Sequence, residues 1–394
     1  MKQTLEQQKS QQACEILKEL NLDLWLIWVR ETSEMADPVL KLVVGNDLVW
    51  QSALLYSKTG ERVAIVGSLD AGGLEPLKLF DRVVPYTKTI REALRGELDH
   101  FQPKQVAIDW SRDNVSADGL TVGMRTLLDE YLSETPYPTR FVSADPLISR
   151  LRGRKTEEEV SRIQRAVDIT QQILAEEASF VRVGQTETEI HQHIRERMRD
   201  LGVTDAWQAS HNPAVDAGPN KPFGHAGPTG NRTKAGHLLH FDFGVRYQSY
   251  CADLQRMFFF GTPQAVPAEV QAAFTTVRDA IAAASESIKP GVRGHEVDAV
   301  ARTFVQEHGY EEYQHALGHQ IGQSAHDGST ILGPLWDRYG SSPKGIVEAG
   351  NVFTLELHVP TKDHGQVSLE EDIVVTKTGC RFLSKRQTEL TCIK

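Results

Sequence analysis

The chain has 394 residues, 40% of them hydrophobic and 24% charged. That balance excludes an intrinsically disordered chain and leaves apolar material for about two domains of ordinary size. Asp plus Glu number 53 against 43 Lys plus Arg, a formal charge of −10; such a surface repels phosphate backbones and anionic lipids, so nucleic acid and membrane are not expected partners. Four cysteines (Cys14, Cys251, Cys380, Cys392) without CxxC spacing argue against a disulfide framework. The N-terminal stretch is polar and no run approaches the length of a membrane span, so a cytoplasmic protein is expected.

Residues 1–150 alternate helix-like and strand-like patterns. Glu6 to Leu20 carries apolar or small residues at Ala13, Ile16, Leu17 and Leu20, the spacing of an amphipathic helix. Leu24–Val29, Ser52–Tyr56, Val63–Val66 and Gln105–Asp109 read as strands, with Gly60–Glu61 a turn between the second and third. This predicts a smaller α/β domain without an obvious chemical motif.

A second domain is expected over 155–394. Thr156 and Glu159 have capping-box spacing and open a helix over about 157–178. Beyond it lies an internal repeat. Val181–Gly202 aligns without gaps with Ile288–Gly309, matching Gly184 to Gly291, Glu189 to Glu296 and Gly202 to Gly309. Each copy is a glycine turn, an amphipathic helix and a glycine stop, preceded by another long helix (about 267–287 in the second) and followed by strand-rich sequence. The pattern predicts a duplicated helix-helix-sheet architecture.

The strand-rich segments hold the chemistry. Asp242 and Asp253 lie in apolar runs joined by Gly244–Tyr250, and a hairpin folded about Tyr247–Gln248 sets the two aspartates opposite each other. Val352–Val359 and Val367–Thr376 flank the turn-rich Pro360–Gly365, and folding about Asp363 sets Glu356 opposite Glu370. Buried like charges cannot all ionise without a compensating cation; four clustered carboxylates are best read as ligands of about two divalent ions. His315, His319 and His326 crowd into one glycine-rich segment, with His319 between Gly318 and Gly322, where missing side chains admit close backbone approach. His225 sits in a Gly/Pro-rich loop before the Asp242 strand, while His237, His240 and His358 read as structural.

Asp242-Phe-Gly, Tyr250-Cys-Ala-Asp253, Gly318-His-Gln-Ile-Gly322 with His326, Phe353-Thr-Leu-Glu356, and Glu370 six residues before Thr376 together resemble the pita-bread metallopeptidase family. That family, M24, includes methionine aminopeptidases, proline dipeptidases and X-Pro aminopeptidases. The resemblance covers about 155–394, and the N-terminal part resembles the creatinase/proline-dipeptidase type. It implies a mixed α/β pita-bread catalytic domain and a peptidase acting on the N-terminal bond of short peptides, X-Pro type, through a metal-bridging hydroxide. It also implies two divalent ions (Mn first, then Co, Zn or Fe) and a homodimer. By resemblance Asp242 and Asp253 bind one metal, Asp253 and Glu370 bridge the pair, and His319 with Glu356 completes the other. Glu356 then matches the proton shuttle, and His225, His315 and His326 match histidines that either stand behind the metal ligands or contact substrate, orienting the scissile bond and stabilising the oxyanion.

Three departures bear on substrate. Glu356 is followed by Leu-His-Val instead of Pro-Gly; Ser368 stands where X-Pro-cleaving members typically carry arginine; and Asp327–Gly345, with Trp336, is a long segment expected at the site mouth. An arginine offers a charged fork that serine lacks, so weak activity on X-Pro dipeptides is expected, and Ser368→Arg is expected to raise it if the pocket is otherwise suited. Two competing readings are a metal-independent creatinase-like amidinohydrolase and a non-catalytic binding protein on the same scaffold. Neither needs all five ligand types that are present here.

Overall fold

The computed structural model describes residues 3–219 and 226–394, which form two compact units, one ending at Arg152 and the other running from Gly153 to Lys394. No helix among the described residues is long and apolar enough to cross a membrane.

In the first unit, α1 (Leu5–Glu19) is opened by a Thr4–Gln7 capping box. After it come β1 (Leu24–Val29), α2 (Leu40–Val43), β2 (Ser52–Ser57), β3 (Arg62–Gly67), α3 (Ser68–Leu74), β4 (Arg82–Tyr86), α4 (Arg91–Phe101), β5 (Val106–Ile108), α5 (Val122–Tyr131), β6 (Phe141–Ser143) and α6 (Asp145–Gly153). The six strands form one sheet in the order β4-β3-β2-β1-β5-β6. Period-2 alternation divides the central strand between two cores: Trp25, Ile27 and Val29 face one, Leu24, Leu26 and Trp28 the other. A strand buried on both faces needs apolar residues throughout, which is why LWLIWV is unbroken.

The second unit starts with a 24-residue helix, α7 (Glu157–Phe180), whose Thr156–Glu159 capping box satisfies two otherwise orphaned N–H groups. Then follow α8 (Glu187–Asp200), β7 (Thr204–Asp205), β8 (Ala214–Ala217), β9 (Leu238–Phe243), β10 (Val245–Tyr247), β11 (Tyr250–Cys251), β12 (Leu254–Phe260), α9 (Ala268–Ser287), α10 (Gly294–Glu307), β13 (Val352–Pro360), β14 (Gln366–Val375), β15 (Cys380–Phe382) and β16 (Thr391–Ile393). The repeat is a repeat of structure: α8 and α10 start and stop at equivalent positions. Gly184 and Gly291 lie at φ 95° and 98°, and Gly202 and Gly309 at 65° and 85°. These left-handed values are open to glycine at little cost.

The strands assemble as β16-β12-β9-β8, β11-β10-β7 and β13-β14-β15, with β12 against β14. On β13, Phe353, Leu355, Leu357 and Val359 join the core formed with α9 and α10. Alternation therefore sends Thr354, Glu356 and His358 to the other face.

One feature of the first unit responds to pH. Asp37 and Asp109 are both buried, and Asp109 Oδ1 accepts from Trp25 Nε1 at 2.5 Å. Burial, then the neighbouring Asp37, holds the Asp109 carboxyl well above its ordinary range. The folded chain grips that proton more tightly than the unfolded chain does. Its contribution to stability is therefore complete below the ordinary carboxylate range and is lost as pH rises from there towards the raised value. Asp109→Asn keeps an acceptor for Trp25 without a latent charge. It is expected to leave stability unchanged near pH 4 and to raise it at pH 8 by about 1–3 kcal/mol, on the scale of an unmatched buried polar group; urea unfolding of both proteins at the two pH values checks this.

Candidate metal centre

The β9–β12 and β10–β11 pairs lie in separate sheets but share one register, pairing Tyr247 with Tyr250, Phe243 with Leu254 and Asp242 with Gln255. The expected pairing of Asp242 with Asp253 does not occur. The turn centres on Gln248–Ser249, one peptide bond later than Tyr247–Gln248, and both residues take positive φ (45° and 71°), as a two-residue type I′ turn requires. Moving the centre by one residue shifts the register by two, so Asp242 and Asp253 keep the same face and become diagonal neighbours. Asp253 itself stands just outside the ladder, its N–H donating to Asp372 Oδ2 at 3.1 Å. In the second hairpin Glu356 pairs with Glu370, as folding about Asp363 requires.

His319 reaches the site on a segment running along β13. Thr354 N donates to His319 O at 2.9 Å, Glu356 N to Leu317 O at 2.7 Å, and His319 N to Thr354 Oγ1 at 3.2 Å. Gly318 makes this approach possible: a Cβ there would sit 2.0 Å from Thr354 O. The imidazole Nε2 then lies 3.8 Å from Asp253 Oδ2 and 3.7 Å from Glu356 Oε1. Asp253, His319 and Glu370 bring one ligand atom each within 4.8 Å of one another.

The electrostatics of this cluster suit a cation. Burial, then Asp242, holds Asp253 well above the ordinary carboxylate range; burial, then Asp253, does the same to Glu370. Burial and Asp242 push Glu356 up to about 8. Burial, then His326, pulls His319 down to about 3, leaving the neutral imidazole that a metal needs. Glu370 Oε1 is buried and makes no hydrogen bond, an unused acceptor that a metal would satisfy. The donor set, carboxylates with one imidazole, fits a divalent first-row ion.

Other candidates are distributed differently. His326 is exposed and packs edge-on against His319, ring centroids 4.2 Å apart. His315 has both nitrogens engaged, Nδ1 with Ala316 O at 2.7 Å and Nε2 with His358 Nδ1 at 3.0 Å, and so offers substrate no free nitrogen. His225 lies outside the described residues. Asp327–Gly345 contains two short 3-10 turns and is pinned by stacking: Arg302 lies over Tyr313 and Trp336, Arg338 over Trp336 and Tyr339. Tyr339 Oη accepts from Ala316 N at 3.0 Å, tying this segment to the histidine-bearing one.

Five polar residues near the site were not singled out from sequence as working parts: Asp216, His240, Gln255, His358 and Asp372. Asp216 Oδ2 meets His240 Nδ1 at 2.9 Å, His240 Nε2 meets Gln255 Oε1 at 3.1 Å, and Gln255 Nε2 donates to Glu356 Oε2 at 3.0 Å. Except for Asp216, each lies two residues along the chain from a candidate ligand, which is the signal that strand alternation offered.

These observations agree with what the chain is similar to. The model of metallopeptidase family M24 matches residues 161–377, more than half of the chain. The chain belongs to that family. An uncharacterized peptidase of Staphylococcus aureus (strain MW2) is 31% identical over 245 residues, 62% of this chain and 66% of the relative, so the match spans just under two thirds of the relative's length. Among solved structures, the X-Pro aminopeptidase from Thermotoga maritima has a TM-score of 0.72 at 24% identity, covering 98% of this chain and 99% of that one. The Xaa-Pro dipeptidase from Bacillus anthracis gives 0.75 at 22%, covering 98% and 100%. The fold is thus that of the family, with two α/β units.

The setting of Ser368 does not meet the condition placed on an arginine there. It lies directly opposite His358, is 1% exposed, and its Oγ contacts Gln255 Oε1 and, at 3.2 Å, Leu357 O. An arginine there meets packed strands instead of an open pocket. Ser368→Arg is expected to destabilise the chain by about 1–3 kcal/mol through overpacking and to lower activity; thermal unfolding and peptide turnover of the variant check both.

Proposed function

We propose that the chain is a dinuclear metal-dependent peptidase that hydrolyses the N-terminal bond of short peptides, with proline after the scissile bond. The observation carrying this reading is the convergence of Asp253, His319 and Glu370, with Asp242 and Glu356 beside them, in buried surroundings that disfavour their ionised forms without a cation. In this reading Asp242, Asp253, His319, Glu356 and Glu370 would together hold the two ions. Bound ions would supply Lewis acidity to an attacking water and to the scissile carbonyl.

The chain's own residues supply the remainder. Glu356 has one oxygen held by Gln255 and the other turned towards His319, which places it to take a proton from water and pass it to the leaving amine. His326, exposed and packed against His319, is proposed to steady the developing oxyanion. His315 acts through His358 instead of on substrate, and His225 is proposed as a substrate contact by resemblance alone. Proline specificity draws support from the X-Pro enzymes that share the fold. Ser368 and His358 are uncharged where an arginine would meet a substrate carboxylate, and burial with the His315 neighbour pulls His358 down to about 3. Peptides longer than a dipeptide, whose carboxylate lies farther off, are the preferred class. Manganese, a homodimer and a cytoplasmic location belong to the same reading.

Elemental analysis of the purified protein, with a panel of X-Pro, X-Pro-Y and non-proline peptides assayed with and without Mn, tests it. Two ions per chain and Mn-dependent turnover favouring X-Pro-Y are expected, with sedimentation giving a dimer. Two bound ions without turnover of any peptide would redirect the reading to another amide or amidine. Metal-free catalysis would favour the amidinohydrolase.

Ligand and substrate-contact roles separate by substitution. Asp253→Ala is expected to abolish turnover and release metal, whereas His326→Ala keeps both ions and loses about 100- to 1,000-fold in kcat, as for an oxyanion contact. Equal metal loss in the two variants would show that the roles are misassigned.

A further inference from the structure

Glu356 sits on β13 with freely rotating side-chain bonds, yet its two oxygens face different surroundings. Oε1 is 3.7 Å from His319 Nε2 in the metal-binding cluster, and Oε2 accepts from Gln255 Nε2 at 3.0 Å. Gln255 is 5% exposed at the start of β12 and stands opposite Asp242 in the ladder. A glutamine amide has a donor end and an acceptor end, and which end faces a neighbour depends on what occupies the other. Here the oxygen end accepts from the Ser368 hydroxyl, and His240 Nε2 lies 3.1 Å from it. His240 is held in turn by Asp216, 2.9 Å from its Nδ1. The NH2 end is thereby left for Glu356. Side chains from β8, β9, β12 and β14 converge on one carboxylate of β13, and all of them are buried.

We propose that Gln255 is a positioning residue for Glu356. Backed by Ser368, His240 and Asp216, it holds Oε2 and so presents Oε1 alone to the cluster. This rests on the reading of Glu356 as metal ligand and proton carrier, and it deepens that reading. It also gives the serine a role: Ser368 orients the glutamine that orients the glutamate. A carboxylate pinned at one oxygen reaches a metal with the other and keeps a fixed direction for proton transfer. Released, it can turn both oxygens inward or swing away. Groups that hold metal-ligating carboxylates act on affinity and turnover, not on the recognition of distant parts of the substrate.

The test compares the full-length wild type with Gln255→Met, nearly isosteric but unable to hydrogen-bond, Ser368→Ala, and the double variant. Gln255→Asn, which keeps the amide but shortens its reach, serves if the methionine variant does not fold. Two quantities are read: Mn affinity of the metal-stripped protein by calorimetry, and kcat and KM separately on the best peptide of the panel. Gln255→Met is expected to lower Mn affinity or kcat by about 10- to 100-fold, the range for partners of metal ligands, with KM little changed. Ser368→Ala is expected to have a smaller effect in the same direction. In the Gln255→Met background it should add almost nothing, because residues acting through one another are non-additive. Wild-type Mn affinity and kcat in Gln255→Met would overturn the proposal, as would fully additive effects of the two substitutions. A wild type that binds no divalent ion and cleaves no peptide would overturn the functional reading itself, and this proposal with it.

Discussion

The second unit is organised around an unfavourable arrangement, several carboxyl groups buried against one another. Asp253, Glu370 and Asp372 are nearly or completely removed from water, and Asp242 and Glu356 stand beside them. Burial accounts for the largest part of each raised proton affinity, with the neighbouring acids adding to it. Such a cluster cannot be fully ionised without a counter-charge. The nearest buried guanidinium, Arg256, is committed to Glu371 at 2.9 Å and to the carbonyls of Gln255 and Glu370. It braces the strands that carry the acids. Neutralisation is therefore left to protons or to metal, and the neutral imidazole of His319 makes metal the better match.

Apolar packing on the opposite face holds the cluster together. The residues that alternate with Glu356 and Glu370, among them Leu355, Leu357 and Leu369, are buried with α9 and α10. That burial stabilises the strands by roughly 1.5–3 kcal/mol per large side chain and offsets repulsion on the polar side. Glycine has the complementary task of letting backbones meet. Gly244 would place a Cβ 1.8 Å from Ala252 O, and Gly318 one 2.0 Å from Thr354 O. One allows the Asp242 strand to close on the Asp253 segment; the other lets His319 lie along β13.

Around the cluster, neutral hydrogen-bonding groups take positions where a charged fork was expected. Ser368 and His358 face each other across β13 and β14 and are bonded inward, to Gln255 and to His315. Both are uncharged and held in place. On the outer side Tyr313, Arg302, Trp336, Arg338 and Tyr339 form an alternating stack of rings and guanidinium groups. Partly desolvated contacts of this kind are worth about 0.5–2 kcal/mol each, so they hold the long segment carrying Trp336 in place.

How much was legible in the sequence follows from the range of the interactions involved. Capping boxes, glycine stops and strand alternation act within a few residues, so the repeat, the helix limits and the faces of the strands could be read directly. The β13–β14 register was legible because Pro360–Gly365 marks its own turn. The β9–β12 register was misread by two residues because its turn uses Gln248 and Ser249 in left-handed conformations, where glycine or asparagine would have announced it. The even shift preserved the face, so the candidate ligands were unaffected. What the chain determined by itself was thus which side chains share a surface, since a period of two is a local property of an extended backbone. Which of them touch was decided only by the tertiary structure. Gln255 with Glu356, Ser368 with Gln255, and Asp372 with the Asp253 amide join residues from 101 to 119 positions apart, and contacts between strands so distant depend on how the sheets pack, which no local pattern encodes.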